Sequence, residues 1–154
     1  MNVLSQSPNG LRMVIGRIDT VVLTRAKNPV LLTLTERKTR LEVIRLISDK
    51  TSQAVNSELE KLSNQFDFKS ITADNGSEFS RLSEALTCEV YYAHAYSSWE
   101  RGTNENHNRM IRRFLPKGTR KTTANAVARI EMWMNNYPRK MFDYRSPNEM
   151  MKGG

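Results

Sequence analysis

Three carboxylates in this sequence stand where a carboxylate carries either a cost or a use. In "ITADNGSEFS", residues 71–80, an apolar approach ends on Asp74, and Asn75-Gly76 then turns the chain over. Asp74 is therefore either a plain turn-former or a group that holds something at a strand's end. Asp19, in "RIDTVVL", keeps register with Val21 and Leu23 and so shares a strand face with apolar residues. Burial there is unfavourable unless the group is paired or binds a metal; a solvated face, or an ion pair with Arg17, would also account for it. Glu105, in "TNENHNRMIRRFL", stands in the first turn of a basic segment of helical period, where a carboxylate also complements the helix dipole.

The neighbours of Glu105 point to a particular chemistry. Asn108, Arg109 and Arg112 follow it at i+3, i+4 and i+7 and share its face, while Met110, Ile111, Phe114 and Leu115 form the apolar stripe. Such a face sets a metal ligand beside groups that hold phosphates. Three carboxylates from two strands and a helix suit hard divalent cations, which take oxygen ligands. Two such ions about 3.5–4 Å apart activate the attacking oxygen and stabilise the leaving one in phosphodiester chemistry. Without metal the like charges repel, so this group should be poorly organised.

The elements that must position these residues follow from hydrophobic period. Strands are expected over 17–25, 30–39 and 40–48, joined by short turns such as "KNP". Residues 49–66 read as a helix, with Ala54, Leu59, Leu62 and Phe66 near helical spacing and Thr51 or Ser52 as N-cap. A strand over 67–74, a helix over 77–87, a strand over 88–95 and helices over 103–115 and 122–138 follow. A short closing helix over 146–152 has Ser146 as cap and Pro147 at its first position. A meander followed by alternating strands and helices favours one α/β domain over 1–154, a mixed sheet with helices on its faces. Sites in such sheets gather at strand ends near a switch in strand order, which is where Asp74 falls.

Composition narrows the partner. At 154 residues, 38% hydrophobic and 26% charged, the chain suits one globular domain. Its one cysteine, Cys88, excludes an internal disulfide, and with His94 and His107 it forms no zinc constellation. No apolar run approaches the ~20 residues of a membrane span, and the N-terminus has no signal-type stretch, so a cytoplasmic location without membrane partners is expected. The net charge of +8 is uneven. Residues 1–100 balance 12 Lys+Arg with 12 Asp+Glu, while residues 101–154 hold 12 against 4. A basic half suggests a polyanion, nucleic acid before an anionic membrane surface. Tyr91, Tyr92, Tyr96 and Trp99 suit either packing or base stacking; Trp133, Met134 and Tyr137 read as packing, partly at a subunit contact.

"TADNGSEF" followed by "YYAHAYSSWERGTNENHNRMIRRFLPKGT" resembles the catalytic core of bacterial insertion-sequence transposases of the IS-thirty family, within the wider group of DDE transposases and retroviral integrases. "DTVV", "LTLTERKTRLEV" and "PRKMFDYRSPNEM" extend the resemblance over nearly the whole chain from about Arg17. It implies an RNase H-like fold: a five-stranded mixed sheet, an antiparallel three-strand meander plus two parallel strands, with helices on both faces. It also implies metal-dependent DNA cleavage at transposon ends and strand transfer into target DNA. Asp19 and Asp74 match the family's two catalytic aspartates and Glu105 its glutamate, with Glu100 as the rival; together they would hold two Mg²⁺ or Mn²⁺ ions. Asn108, Arg109 and Arg112 would position phosphates, and Arg113, Lys117, Arg120 and Lys121 would extend the basic track. DNA and at least a second copy of the chain are the implied partners. Three departures accompany the match: "VIGRIDTVV" follows the first motif loosely, the interval from Asp74 to Glu105 is short, and the family's N-terminal helix-turn-helix region is absent, as in an excised core or truncated copy. The competing readings are a stand-alone RNase H-like nuclease and a non-catalytic DNA-binding relic.

Overall fold

A computed structural model describes residues 11–24, 29–92 and 98–153. Strands β1 (Leu11–Val22), β2 (Val30–Glu36) and β3 (Glu42–Ile47) form an antiparallel meander. β4 (Phe66–Ala73) and β5 (Glu89–Tyr92) then add in parallel beside β1, giving the order β3-β2-β1-β4-β5. β1 starts six residues earlier than the sequence pattern suggests. Its first half pairs in parallel with β4, from Leu11↔Phe66 to Arg17↔Thr72, and a partner so distant in sequence leaves no local signal. The expected strands over 30–39 and 40–48 stop short of each other for a local reason. Glu36 accepts backbone hydrogen bonds from Lys38 (2.8 Å) and Thr39 (3.2 Å), and Arg40 takes a left-handed φ of 62°, so the segment turns.

Alternation along the strands sends consecutive residues to opposite faces, and each face has its own core. Ile18, Leu32, Leu34 and Val43 pack against Val55, Leu59 and Leu62 of α1 (Ser52–Leu62) and against Phe79 and Leu82. On the other side Val21, Leu23, Leu31 and Ile44 meet Met110 and Ile111 of α2 (Ser98–Arg112), Leu115, and Val127, Ile130 and Met134 of α3 (Ala124–Asn136). Helices therefore cover both faces, as expected. β3 is an edge strand, and α3 occupies part of its open backbone. Asn135 accepts from Glu42 N and donates to Glu42 O, both at 2.8 Å.

Helix ends follow the capping rules. Thr51 caps α1 by accepting from Ala54 N (3.2 Å), and Thr123 caps α3 by accepting from Ala126 N (3.1 Å). In α4 (Pro147–Gly153) Ser146 Oγ accepts from Glu149 N while Glu149 Oε1 accepts from Ser146 N, a reciprocal capping box. Thr123→Ala is expected to lower the unfolding free energy by about 1 kcal/mol in a urea titration, with Thr123→Ser recovering most of the loss.

Two helices depart from expectation. The segment 77–87 is not a continuous helix but two single 3-10 turns, Ser77–Phe79 and Leu82–Glu84. Phe79, Leu82 and Leu86 are buried, which explains the helical spacing. The serines interrupt it: Ser80 Oγ donates to Ser77 O at 2.8 Å, taking a carbonyl that a continuing helix would use. α2 begins at Ser98 and not at 103, so Glu100 is within the helix and Glu105 lies mid-helix, beyond the first-turn dipole position. Gly102 does not stop the helix, since a single interior glycine costs only about 1 kcal/mol relative to alanine. The expected strand over 88–95 ends at Tyr92, and His94 and Tyr96 lie outside the described residues. No helix among the described residues is long and apolar enough to cross a membrane.

Candidate nucleic-acid and metal site

Parallel pairing of β1 with β4 brings the two aspartates to neighbouring strand ends. The last register pair is Arg17↔Thr72, and two further residues along each chain are Asp19 and Asp74. Both fall on the α2 side of the sheet. Val21 packs there in register with Asp19, and Ala73, one residue before Asp74, packs on the opposite side. Both are half-buried. Asp19 Oδ1 accepts from Thr20 N (2.9 Å), and Asp74 Oδ1 accepts from Gly76 N (2.7 Å), which closes the Asn75-Gly76 turn. Asp74 is thus a turn-former as well, and the turn fixes where its carboxylate stands.

Gly76 is favoured there by space and not by its backbone angle, since its φ of −62° suits any residue. A Cβ at this position would overlap Glu78 Oε1 and come within 2.9 Å of Asp74 Oδ1. Glu78, only 4% exposed, turns back beneath the loop and accepts from Thr20 Oγ1 at 3.0 Å, with Lys50 Nζ 3.6 Å away. The sequence pattern gave Glu78 no role. Its one signal was a charge at i+4 from Asp74, next to Phe79.

Glu105 is exposed on α2, with Asn108 and Arg109 one turn on. Among the described residues no three His, Cys, Asp or Glu side chains form a group that could hold a metal ion, so Asp19, Asp74 and Glu105 do not make up a three-carboxylate site in this conformation. Two neighbouring carboxylates nonetheless fit a hard divalent cation, which takes oxygen donors and keeps several waters.

A groove of about 710 Å³ runs along the end of β1, walled by Thr20–Thr24 on one side and Asn108, Arg112, Lys117 and Gly118 on the other. Asn108, Arg112 and Lys117, all expected to contact phosphate, therefore line one cavity. Arg112 also supports the fold, since its Nη2 donates to Val22 O at 2.8 Å. Gly118, with φ of +93°, donates its N–H to Leu23 O at 2.6 Å and pins the 116–119 turn to the strand. Arg109, Arg113, Arg120 and Lys121 are exposed outside the groove wall. Arg113 lies over the Trp133 ring at 5.5 Å, and Phe114 and Tyr137 meet the same ring edge-on.

A buried polar cluster holds α2 at this height. Glu42, His107 and Arg139 are 2%, 2% and 7% exposed. Arg139 Nη1 lies 3.1 Å from His107 Nε2, and because a guanidinium only donates, Nε2 accepts and the ring proton sits on Nδ1. Nδ1 faces Glu42 Oε1 at 3.1 Å, off the line of a formed hydrogen bond, so this contact is mainly electrostatic. Thr35 Oγ1 donates to the same Glu42 oxygen, and Arg139 Nη2 donates to Met134 O at 3.2 Å. Burial pushes the Arg139 guanidinium below its usual pKa, and the Glu42 charge pulls it back up. The sequence offered no sign of this cluster beyond three separated charged or titratable residues.

No protein-family model matches the chain. Individual relatives do. The chain is 41% identical over 126 residues, 80% of its length, to a probable transposase of the insertion-like sequence element IS1161 from Streptococcus salivarius. It is 38% identical over 144 residues (88%) to the transposase of IS4351 from Bacteroides fragilis, and 33% identical over 151 residues (93%) to the transposase InsI of IS30C from Escherichia coli K12. It spans 37%, 43% and 39% of those relatives, about two fifths of their length. In structure it is similar to the catalytic core domain of BIV integrase, with a TM-score of 0.72 over 90% of this chain and 93% of that one at 17% identity, a likeness of fold. Over nearly all of its length, therefore, the chain is similar to a part of these insertion-sequence transposases, and it has the fold of a retroviral integrase core.

Proposed function

We propose that the chain is the catalytic core of a DDE-type polynucleotidyl transferase, which cuts DNA at the ends of a mobile element and joins them to target DNA. The observation that carries this reading is the placement of Asp19 and Asp74 side by side at two parallel strand ends, next to a groove walled by Asn108, Arg112 and Lys117. Asp19 and Asp74 would hold Mg²⁺ or Mn²⁺, and Glu105 would join them from α2 once cation and DNA offset the repulsion among the three. Bound metal would supply Lewis-acid activation of the attacking oxygen and stabilisation of the leaving one. The chain's own residues do the rest. Lys117 and Asn108 bind and orient the phosphates, and Arg112 keeps the groove's two walls together through Val22 O. The assembly on paired ends would be a homodimer or larger.

Incubating the chain with short duplexes bearing a 3′-hydroxyl, plasmid DNA and Mg²⁺ or Mn²⁺ tests the reading. Covalent joining of duplex to plasmid is expected. Nicking without joining would instead assign a stand-alone nuclease, and DNA binding indifferent to metal and to Asp74→Asn would assign a relic. Lys117→Ala is expected to weaken DNA binding evenly across sequences and to reduce the slope of log affinity against log salt by about 1. Arg112→Ala should add a loss of thermal stability, because its hydrogen bond to Val22 O goes too.

A further inference from the structure

The buried Glu78 has no part in the chemistry outlined above, yet it bonds to the strand that carries Asp19 and stands beside the turn that carries Asp74. Its Oε2 accepts from Thr20, the residue after Asp19, and its Oε1 occupies with Asp74 Oδ1 the space that Gly76 leaves empty. A carboxylate this buried needs a reason, because burial without full compensation is unfavourable. Among the described residues its cationic contact is Lys50, 3.6 Å off on a side chain that is 51% exposed, so the charge is only partly offset. We propose that Glu78 is a positioning residue for the metal-holding aspartates: it ties the Asp74 turn to β1 from the α1 side of the sheet and adds its charge to the field at the pair. This rests on the metal-site reading given above. Lys50 is then the opposing element, lowering that field.

The two effects have opposite signs at Lys50 and Glu78, which separates them from a purely structural role. Mn²⁺ binding to the whole chain is to be measured by electron paramagnetic resonance titration, with thermal melting in parallel, for wild type, Asp74→Asn, Glu78→Gln and Lys50→Met. Gln keeps the acceptor for Thr20 but not the charge. Glu78→Gln is expected to weaken Mn²⁺ binding on the order of tenfold, the scale on which charge count tunes divalent sites, and Lys50→Met to tighten it about twofold. Equal affinity in Glu78→Gln and wild type, with binding still lost in Asp74→Asn, would overturn the role of Glu78 and leave the metal site standing. Binding that survives Asp74→Asn would remove the site itself and the proposal with it. If Glu78→Gln fails to fold, Lys50→Met decides: tighter binding supports the proposal, and unchanged or weaker binding overturns it.

Discussion

Asp74→Asn is expected to reduce metal-dependent DNA cleavage and joining by about a thousandfold, the consequence of losing several kcal/mol of charge stabilisation at the reacting phosphate. Asparagine has nearly the shape of aspartate and keeps an acceptor for Gly76 N, so the turn should survive. Folding should not suffer. Asp19 and Asp74 are neighbouring like charges, and neutralising one relieves their repulsion when no cation is bound. The melting temperature of Asp74→Asn is accordingly expected to equal or slightly exceed that of the wild type. Plasmid nicking, duplex joining and a thermal melt on the same preparations check both halves. Activity lost together with stability would mean that Asp74 is a turn residue only.

The largest effect on stability is expected at the opposite end of α2's support. Glu42→Ala removes the carboxylate of a cluster in which His107 and Arg139 are almost wholly buried. It leaves the Arg139 guanidinium facing a ring nitrogen without that anion and deprives Thr35 of its acceptor. Breaking a buried charged cluster from one side costs about 3–5 kcal/mol, because the remaining charge stays uncompensated. Urea unfolding followed by circular dichroism should show a loss in that range, with the m-value unchanged. The backbone pairing of Glu42 with Asn135 survives the substitution, so the effect isolates the side chain. A loss below about 1 kcal/mol would mean that water already reaches the cluster.

What the sequence made legible was whatever is written in local period. The meander, the face of α1 carrying Leu59 and Leu62, and the closing helix capped at Ser146 all read directly from spacing and capping residues. Asp19 stood out because a charge in an apolar alternation is conspicuous. Interactions between distant segments left no such mark. The parallel pairing that extends β1 back to Leu11 depends on a strand more than fifty residues away. Glu78 and the Glu42–His107–Arg139 cluster are ordinary charged residues in sequence, and only the fold turns them inward. The 77–87 segment misled for another reason. Its apolar spacing fits a helix, but the Ser80 hydroxyl bonds the Ser77 carbonyl and the chain makes two short turns. Glu105 is the instructive case on the site. Its residue type and helix face were readable, while whether it joins the two aspartates depends on tertiary packing that local spacing does not record, and the three form no group that could hold a metal ion here.

The most direct test of the central claim is anomalous scattering from Mn²⁺ in soaked crystals of wild type and Asp74→Asn. A peak within coordination distance of both Asp19 and Asp74, lost in the variant, is the expected result. No peak at saturating Mn²⁺, or a peak that persists unchanged in Asp74→Asn, would contradict the assignment of this aspartate pair as the metal site of a DNA strand-transfer enzyme.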